Sequence, residues 1–282
     1  MGAAGTPRTG VTTSGDPVVA DGLAVARQAA QEAGALIRAA FQGPLTVQDK
    51  GHAGDIVTSL DTDAEDFLID RIRARFPAHQ VIGEERGAVG ADSRWTWLID
   101  PLDGTHNLVI GLPVVGVSLA LLRDGLPVVA AIEDVFGAGT MVAVRGGGAA
   151  GAGGRLHLKR DQRDGPLTVA WIEGHGARAM DESIVRREEA IARSVKRLLR
   201  LWAPTIAWGM LARGVIDAVV VARSGGTDLH SGWLLADEAG AIVRGLNGGD
   251  ADPRFHGVDQ PASIVAVRPG AEAAMRRVLS EG

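Results

Sequence analysis

The sequence predicts a mixed α and β fold with layered sheets, and three observations support this class. Its 282 residues are too many for one small domain and too few for two full-sized ones, which favours one large domain. The 46% hydrophobic and 22% charged residues are ordinary for a globular chain with a sizeable core. Segments with helical periodicity alternate with short apolar runs, as expected for helices packed on sheets.

The N-terminal part of the chain predicts an extension, two helices and a first strand. Residues 1–16 are mainly Gly, Ala, Thr and Ser, and we expect them to be a disordered extension. Apolar residues spaced three and four apart predict two helices, the second beginning with a capping box of Thr62 and Glu65. The apolar run 95–99 predicts a strand that ends where Pro101 forces the chain out of it.

Glycine content and the spacing of apolar residues predict the elements in the rest of the chain. The glycine-rich stretch 146–154 predicts an exposed hairpin tip between two strands. Near it we divide a single domain, 17–282, into an N-terminal half of about 17–150 and a C-terminal half of about 151–282. The second half alternates strands with helices, including a charged amphipathic helix over 181–201.

Composition and charge exclude several classes of function. The net charge of −5, with no run of basic residues, argues against nucleic acid or an anionic membrane as the main partner. No segment is apolar enough to span a bilayer, and we expect a cytoplasmic protein. The sequence contains no cysteine, which excludes disulfides, thiolate metal sites and a cysteine nucleophile.

The segment from Asp100 to Thr105 carries the clearest chemical pattern. Asp100 ends a buried strand and Asp103 follows three residues later, so their carboxylates are expected to converge. Two hard oxygen anions held closely repel unless a cation lies between them, and Mg²⁺ prefers such ligands. Gly104 allows close backbone approach, and its amide and that of Thr105 suit a phosphate at a helix start. An ordinary turn with a helix cap explains the same residues.

Three further acidic sites accompany this segment, one of them a pair of glutamates. Glu84 and Glu85 follow a short apolar run, where a surface turn is the ordinary explanation. Asp61 lies at a helix start and Asp228 opens an apolar helix, where capping is the usual role of aspartate. The order and context of these three sites and of the segment from Asp100 to Thr105 together indicate one shared site.

Taken in order, these segments resemble the inositol monophosphatase family of Mg²⁺-dependent, lithium-sensitive phosphatases. The likeness covers nearly everything from residue 18 onward. The matching pieces are Lys50, Asp55-Ile56-Val57-Thr58, Asp61, Gly83-Glu84-Glu85, Trp97-Leu98-Ile99-Asp100-Pro101-Leu102-Asp103-Gly104-Thr105, Asn107, Asp228, Gly232 and Glu238-Ala239-Gly240.

The resemblance implies a fold, a cofactor and a quaternary state. The fold would be α+β, a layered α-β-α-β-α sandwich of the inositol monophosphatase and fructose-1,6-bisphosphatase type, with metals in a cleft between the two halves. The cofactor would be Mg²⁺, two to three ions, and the protein would be a homodimer. Glu84, Asp100 and the carbonyl of Leu102 resemble ligands of the first ion, and Asp100, Asp103 and Asp228 those of the second.

The resemblance also assigns catalytic and phosphate-binding roles. Glu85 and Lys50 resemble residues near a third, weaker ion. Asp61 and Thr105 resemble the pair that orients and deprotonates the attacking water, and with Glu84 they form the expected catalytic set. The amides of Gly104 and Thr105 are expected to hold phosphate oxygens.

Four positions depart from the family pattern. Thr227 stands where the family has tryptophan, His230-Ser231 replaces a pair of alanines, and Leu108 replaces phenylalanine. Val221 stands seven residues before Asp228, where inositol-type members carry a glutamate that holds substrate hydroxyls. All residues expected to bind metal are present, whereas several residues expected to contact the substrate differ. This places myo-inositol phosphate in doubt as the substrate.

Several other polar and aromatic residues are candidates for substrate contact. His106 and His230 flank the expected ligands and could contact the substrate, although polar residues are ordinary at helix starts. Arg223 could bind a second anionic group or be solvated. The tryptophans expected mainly in the core are Trp171, Trp202, Trp208 and Trp233.

The leading hypothesis is a Mg²⁺-dependent phosphomonoesterase that uses metal-activated water. Its partner would be a small phosphorylated metabolite such as a polyol, sugar or nucleoside phosphate, and a narrower version places it in specialised metabolism. Two alternatives stay open. One is a non-catalytic protein that binds metal or a phosphometabolite on the same scaffold, and the other is a bisphosphatase for sugar or adenosine bisphosphates.

Overall fold

The computed structural model describes residues 15–41, 43, 46–49, 56–160, 165–174, 176–258 and 260–280. Most of the expected extension, 1–16, lies outside the described residues. Asp16 belongs to the folded part, because its carboxylate accepts a 2.9 Å hydrogen bond from the amide of Val18 and caps the first helix.

Helices and strands alternate along the described chain. The helices are α1 Pro17–Ala40, α2 Ser59–Arg75, α3 Thr105–Val109, α4 Ala177–Met180, α5 Glu182–Ser194, α6 Pro204–Ala212, α7 Leu229–Glu238 and α8 Glu272–Ser280. The strands are β1 Val47–Asp49, β2 Ile56–Thr58, β3 Gln80–Ile82, β4 Ala88–Val89, β5 Trp95–Asp103, β6 Gly116–Arg123, β7 Leu126–Asp134, β8 Gly139–Val144, β9 Gly148–Gly151, β10 Gly154–Leu156, β11 Thr168–Glu173, β12 Arg197–Leu199, β13 Ala218–Ser224, β14 Ile242–Gly245 and β15 Ala262–Val267.

The N-terminal half forms one large sheet with helices on one face. Its strand order is β10-β9-β8-β7-β6-β5-β3-β4, antiparallel except where β3 runs parallel to β5. Helices α1 and α2 cover one face, and the buried stripe of α1 contains small residues such as Ala26, Ala30 and Ala33. Small side chains let the helix backbone approach the sheet closely, and Ile37 extends the same core.

The C-terminal half forms a smaller sheet and completes the layers. Its order is β12-β11-β13-β15-β14, with β15 antiparallel to β13 and β14. Helices α6 and α7 pack between the two sheets, and α5 and α8 cover the outer face of the smaller one. On β13, Val219 and Val221 face the middle helices while Val220 faces outward, which is why the strand is apolar throughout. The predicted α-β-α-β-α layering is confirmed.

Two predicted elements, one in each half, are wrong. The helix expected over 181–201 stops at Ser194, and the chain continues into β12 because β11 offers an edge for parallel pairing. The stretch 146–154 is not an exposed tip. It forms β9 and β10, with Ala149 and Ala150 buried, and Glu238 accepts hydrogen bonds from two of its glycine amides. The division into halves stays a prediction.

A search of the described helices finds none with the length and apolar character needed to cross a membrane.

We predict that Gly232→Ala destabilises the protein. Gly232 of α7 faces Trp208 of α6, and a Cβ at this position would lie 2.2 Å from the indole ring, which is fully buried and cannot move aside. Overpacking of this kind costs about 1–3 kcal/mol, which exceeds the gain in helix propensity. Urea denaturation should show this loss. Gly249→Ala is the matched control, because nothing lies within 4 Å of its Cβ, and an equal loss there would contradict the packing argument.

Candidate active site

A cavity of about 890 Å³ contains most of the predicted site. Its wall combines the ends of β3, β5 and β13 with the starts of α3, α6 and α7. The predicted site residues that form part of this wall are Glu84, Asp100, Leu102, Asp103, Gly104, Thr105, His106 and Asp228.

A bulge at the end of β5 brings Asp100 and Asp103 to the cavity. Asp100 pairs with Ser118 of β6 and Asp103 pairs with Gly116, so three steps on one strand match two on the other. The prediction that Pro101 ends the strand is wrong. Proline lacks an amide donor, and a bulge is a position where a strand tolerates that loss.

The starts of three helices approach the same wall. Gly104, at φ 96°, turns the chain from β5 into α3, a conformation that favours glycine. Asp103 accepts a 2.6 Å hydrogen bond from the amide of Thr205 at the start of α6. Asp228 occupies the N-cap position of α7. The layered fold therefore gathers acidic groups from distant segments at one place.

Burial and mutual repulsion raise the pKa values of these acids. Burial is the largest cause for Asp100 and Asp103, whose pKa values lie well above the ordinary value of 3.8, and repulsion from neighbouring carboxylates adds to it. Burial also raises the pKa of Asp228 to about 7, with a further contribution from Glu84. Three carboxyl groups thus carry a charge that the folded protein disfavours unless a cation is near.

Asp61 connects α2 to this wall through Thr105. The Thr105 hydroxyl donates a 2.7 Å hydrogen bond to Asp61 Oδ1. The amide and hydroxyl of Thr58 donate to Asp61 Oδ2, which makes Thr58 and Asp61 the capping box of α2. The predicted box at Thr62 is wrong because the helix begins earlier, at Ser59. Burial raises the pKa of Asp61 despite these hydrogen bonds.

Glu65 has a role that sequence reasoning missed. This fully buried carboxylate accepts 2.8 Å hydrogen bonds from the amides of Glu85 and Arg86, and a Cβ on Gly83 would collide with it. Glu65 therefore holds the loop that carries Glu84. The available signal was its position one helical turn after Asp61, on the same face of α2.

Besides Asp61, three further predicted residues lie outside the cavity wall. His230 is buried behind Phe255, with its ring at 86° to the phenyl ring, and burial lowers its pKa to about 4. Arg223 is exposed, and its charge acts on Asp181, which belongs to the outer helices. Neither residue is part of the cavity wall, and the substrate contacts predicted for them stay predictions. Glu85 contributes its backbone amide to the Glu65 contact and is not part of the wall.

Trp202 was predicted to lie in the core, and this prediction is wrong. Trp171, Trp208 and Trp233 are buried as predicted, although Trp171 also lines the cavity. Trp202 is 62% exposed, lies on the cavity wall and has a φ of 52°, in the left-handed region. Its ring meets that of His106 edge-on at 5.3 Å.

The acidic wall fits Mg²⁺ better than a softer metal. Its four carboxylates and the Leu102 carbonyl offer hard oxygen donors, although the imidazole of His106 also lies on the cavity wall. In the described ranges no group of three or more Asp, Glu or His side chains is arranged to hold an ion alone. Mg²⁺ does not need one, because it retains waters and is held by one or two carboxylates plus substrate phosphate. Lys50 and Asp55 lie outside the described residues.

A sequence model of the Inositol monophosphatase family matches residues 19–279. The chain belongs to this family. It is accordingly a phosphoric monoester hydrolase, and the family generally uses Mg²⁺ and acts on small phosphorylated substrates.

Named relatives extend the family likeness. The chain is 30% identical to "Phosphatase IMPL1, chloroplastic" of Arabidopsis thaliana, over 86% of this chain and 67% of that protein. It is 29% identical to the fructose-1,6-bisphosphatase of Pyrococcus furiosus, over 81% of this chain and 84% of that protein. The crystal structure of extragenic suppressor protein suhB from Bartonella henselae shares the fold, with a TM-score of 0.81 and 24% identity. The match covers 93% of this chain and 99% of that one.

We predict that Asp228 makes the metal-free protein lose stability as pH rises. Its folded-state pKa of about 7 exceeds the unfolded value of 3.8, so the folded state retains a proton that the unfolded state has lost. This contribution is complete below about pH 4 and disappears towards about pH 7. In EDTA, the unfolding free energy of the wild type should fall relative to Asp228→Asn across this range. Parallel curves for the two proteins would contradict the assignment.

We predict that Glu65→Ala impairs metal use as well as stability. Two partly buried amide hydrogen bonds lose their acceptor, which costs about 2 kcal/mol in total. The loosened loop should raise the Mg²⁺ concentration for half-maximal activity by roughly tenfold, as the loss of a supporting contact commonly does. Thermal unfolding and Mg²⁺ titrations measure both effects. Glu182→Ala, at an exposed position of α5, is the control, and a normal Mg²⁺ response in Glu65→Ala would refute the positioning role.

Proposed function

We propose that the protein is a Mg²⁺-dependent phosphomonoesterase for a small phosphorylated metabolite and that water is the attacking group. The observation that supports this most is the wall of four carboxylates, Glu84, Asp100, Asp103 and Asp228, which come from three separate segments of the chain. The raised pKa values of the three aspartates show that the cavity disfavours their combined negative charge. A bound divalent cation would compensate that charge.

The ligand sets proposed are those implied by the family. Glu84, Asp100 and the Leu102 carbonyl would hold one ion, and Asp100, Asp103 and Asp228 would hold a second. The three aspartates are not arranged around an ion in the described residues, so the ion would have to draw their carboxylates together. A third ion is a further proposal. When bound, Mg²⁺ supplies positive charge that neutralises phosphate oxygens and lowers the pKa of water. The residues of the chain would fix the positions at which that charge acts.

Thr105 and Asp61 would move the proton of the attacking water. The Thr105 hydroxyl already donates to Asp61, so its oxygen lone pairs are available to accept from water on the cavity side. The raised pKa of Asp61 favours its acceptance of a proton through Thr105. The amides of Gly104 and Thr105, on the same wall, would hold the phosphate oxygens.

The substrate class proposed is broader than inositol phosphate. Val221 is 1% exposed and packs among the middle helices, away from the cavity wall, so it supplies no group for polyol hydroxyls. Sugar and nucleoside phosphates are therefore included. The fructose-1,6-bisphosphatase among the relatives favours a sugar bisphosphate as a second candidate. The homodimer and the cytoplasmic location remain predictions.

We predict that phosphate release requires Mg²⁺ and that Asp100→Asn abolishes it almost completely. Loss of a carboxylate shared by both ion sites should lower kcat by at least about 100-fold. A colorimetric phosphate assay over inositol phosphates, sugar phosphates, fructose 1,6-bisphosphate and nucleotides measures this.

The matched control is Asp124→Asn. Asp124 is an exposed residue of the β6–β7 turn at φ 52°, a conformation that asparagine also tolerates, so this variant should retain wild-type activity. A folded, Mg²⁺-loaded protein that hydrolyses none of these esters, yet binds one tightly, would support the non-catalytic alternative instead.

A further inference from the structure

We propose that Trp202 is a stacking platform for a planar aromatic ring in the leaving group, which makes a nucleoside phosphate the preferred substrate class. The inference rests on the proposed phosphomonoesterase function and specifies its substrate. It starts from an exposed indole on the wall of the cavity that contains the acidic cluster.

The position of Trp202 is determined by contacts on both sides. Asn107 of α3 donates a 2.7 Å hydrogen bond to the carbonyl of Leu201, and the next residue, Ala203, is the buried N-cap of α6. The edge-on contact with His106 joins the indole to the turn that carries Thr105. The ring is therefore held at a defined place beside the expected phosphate position.

The backbone at Trp202 is strained in a way that packing does not require. A φ of 52° is unfavourable for a bulky side chain, and glycine would occupy it without strain. The indole is 62% exposed, so it contributes little to any core in return. Strained residues that remain on a cavity wall commonly serve ligand binding.

The rest of the wall suits a ring with an apolar face. Ile172, Leu201, Phe255 and Val258 line the same cavity, and Val221 offers no polar group to a polyol. Aromatic side chains bind bases through their π-faces, with an effect of roughly tenfold or more in affinity. A nucleoside carries such a face, whereas glycerol and ribose phosphates do not.

The decisive experiment compares substrates that differ by the base. Steady-state kinetics with Mg²⁺ should be measured for adenosine 2′-, 3′- and 5′-monophosphate, ribose 5-phosphate and glycerol 2-phosphate. In the wild type, at least one adenosine monophosphate should exceed ribose 5-phosphate in kcat/KM by roughly tenfold, mainly through a lower KM. Trp202→Gly should remove this preference and change ribose 5-phosphate by less than about twofold, while Trp202→Phe should retain most of it.

A second measurement needs neither metal nor turnover. Adenosine should quench the fluorescence of the exposed indole in the wild type, and the quenching should be lost in Trp202→Phe. Because glycine relieves the strain at φ 52°, Trp202→Gly should unfold at the same temperature as the wild type or higher.

Other outcomes would overturn the inference in distinguishable ways. Equal losses on adenosine and ribose phosphates, or no preference in the wild type, would overturn the platform and leave the phosphatase proposal intact. Dissociation of a dimer in Trp202→Gly, seen by sedimentation, would identify the indole as a subunit contact instead. Absence of phosphate release from every ester would overturn the proposed function and the platform together.

Discussion

Repulsion among buried carboxylates at the end of β5 is the constraint on which the site depends. Asp100 and Asp103 lie three residues apart, and Asp228 and Glu84 approach them from other segments. The carboxylates of the three aspartates would be more stable in water, where their charge is solvated, than in this wall. The surrounding packing must therefore impose the arrangement, and the folded protein gains from any cation or proton that reduces the charge.

The layered architecture imposes this arrangement of carboxylates. Helices α6 and α7 are enclosed between two sheets, and Gly232 against Trp208 sets their close approach. Both helices start at the cavity, so the amide of Thr205 reaches Asp103 and the N-cap of α7 presents Asp228. On the opposite side Glu65 of α2 holds the loop before β4. Acidic groups far apart in sequence are thereby held by elements whose own stability comes from apolar burial.

Specificity is a separate matter from catalysis on this scaffold. Relatives with 29% to 30% identity include proteins named as a fructose-1,6-bisphosphatase and a chloroplast phosphatase, so the fold alone does not select a substrate. In this chain Val221 packs into the core and Trp202 lies on the cavity wall. Under the proposals above, these two positions would change which leaving groups the cavity contacts, while the acidic wall would be unaffected.

The sequence alone determined the family, the layered fold and most of the acidic wall, because those depend on short motifs and on the periodicity of apolar residues. Tertiary structure decided the features that depend on contacts between residues far apart in the sequence. Pro101 remains in a strand because β6 accommodates a bulge, and Glu65 supports a loop that lies 20 residues away along the chain. His230 lies behind Phe255, and Trp202 is exposed at a position where the backbone is left-handed. Local residue patterns do not encode such long-range contacts, since burial and backbone strain are set only when the layers pack together.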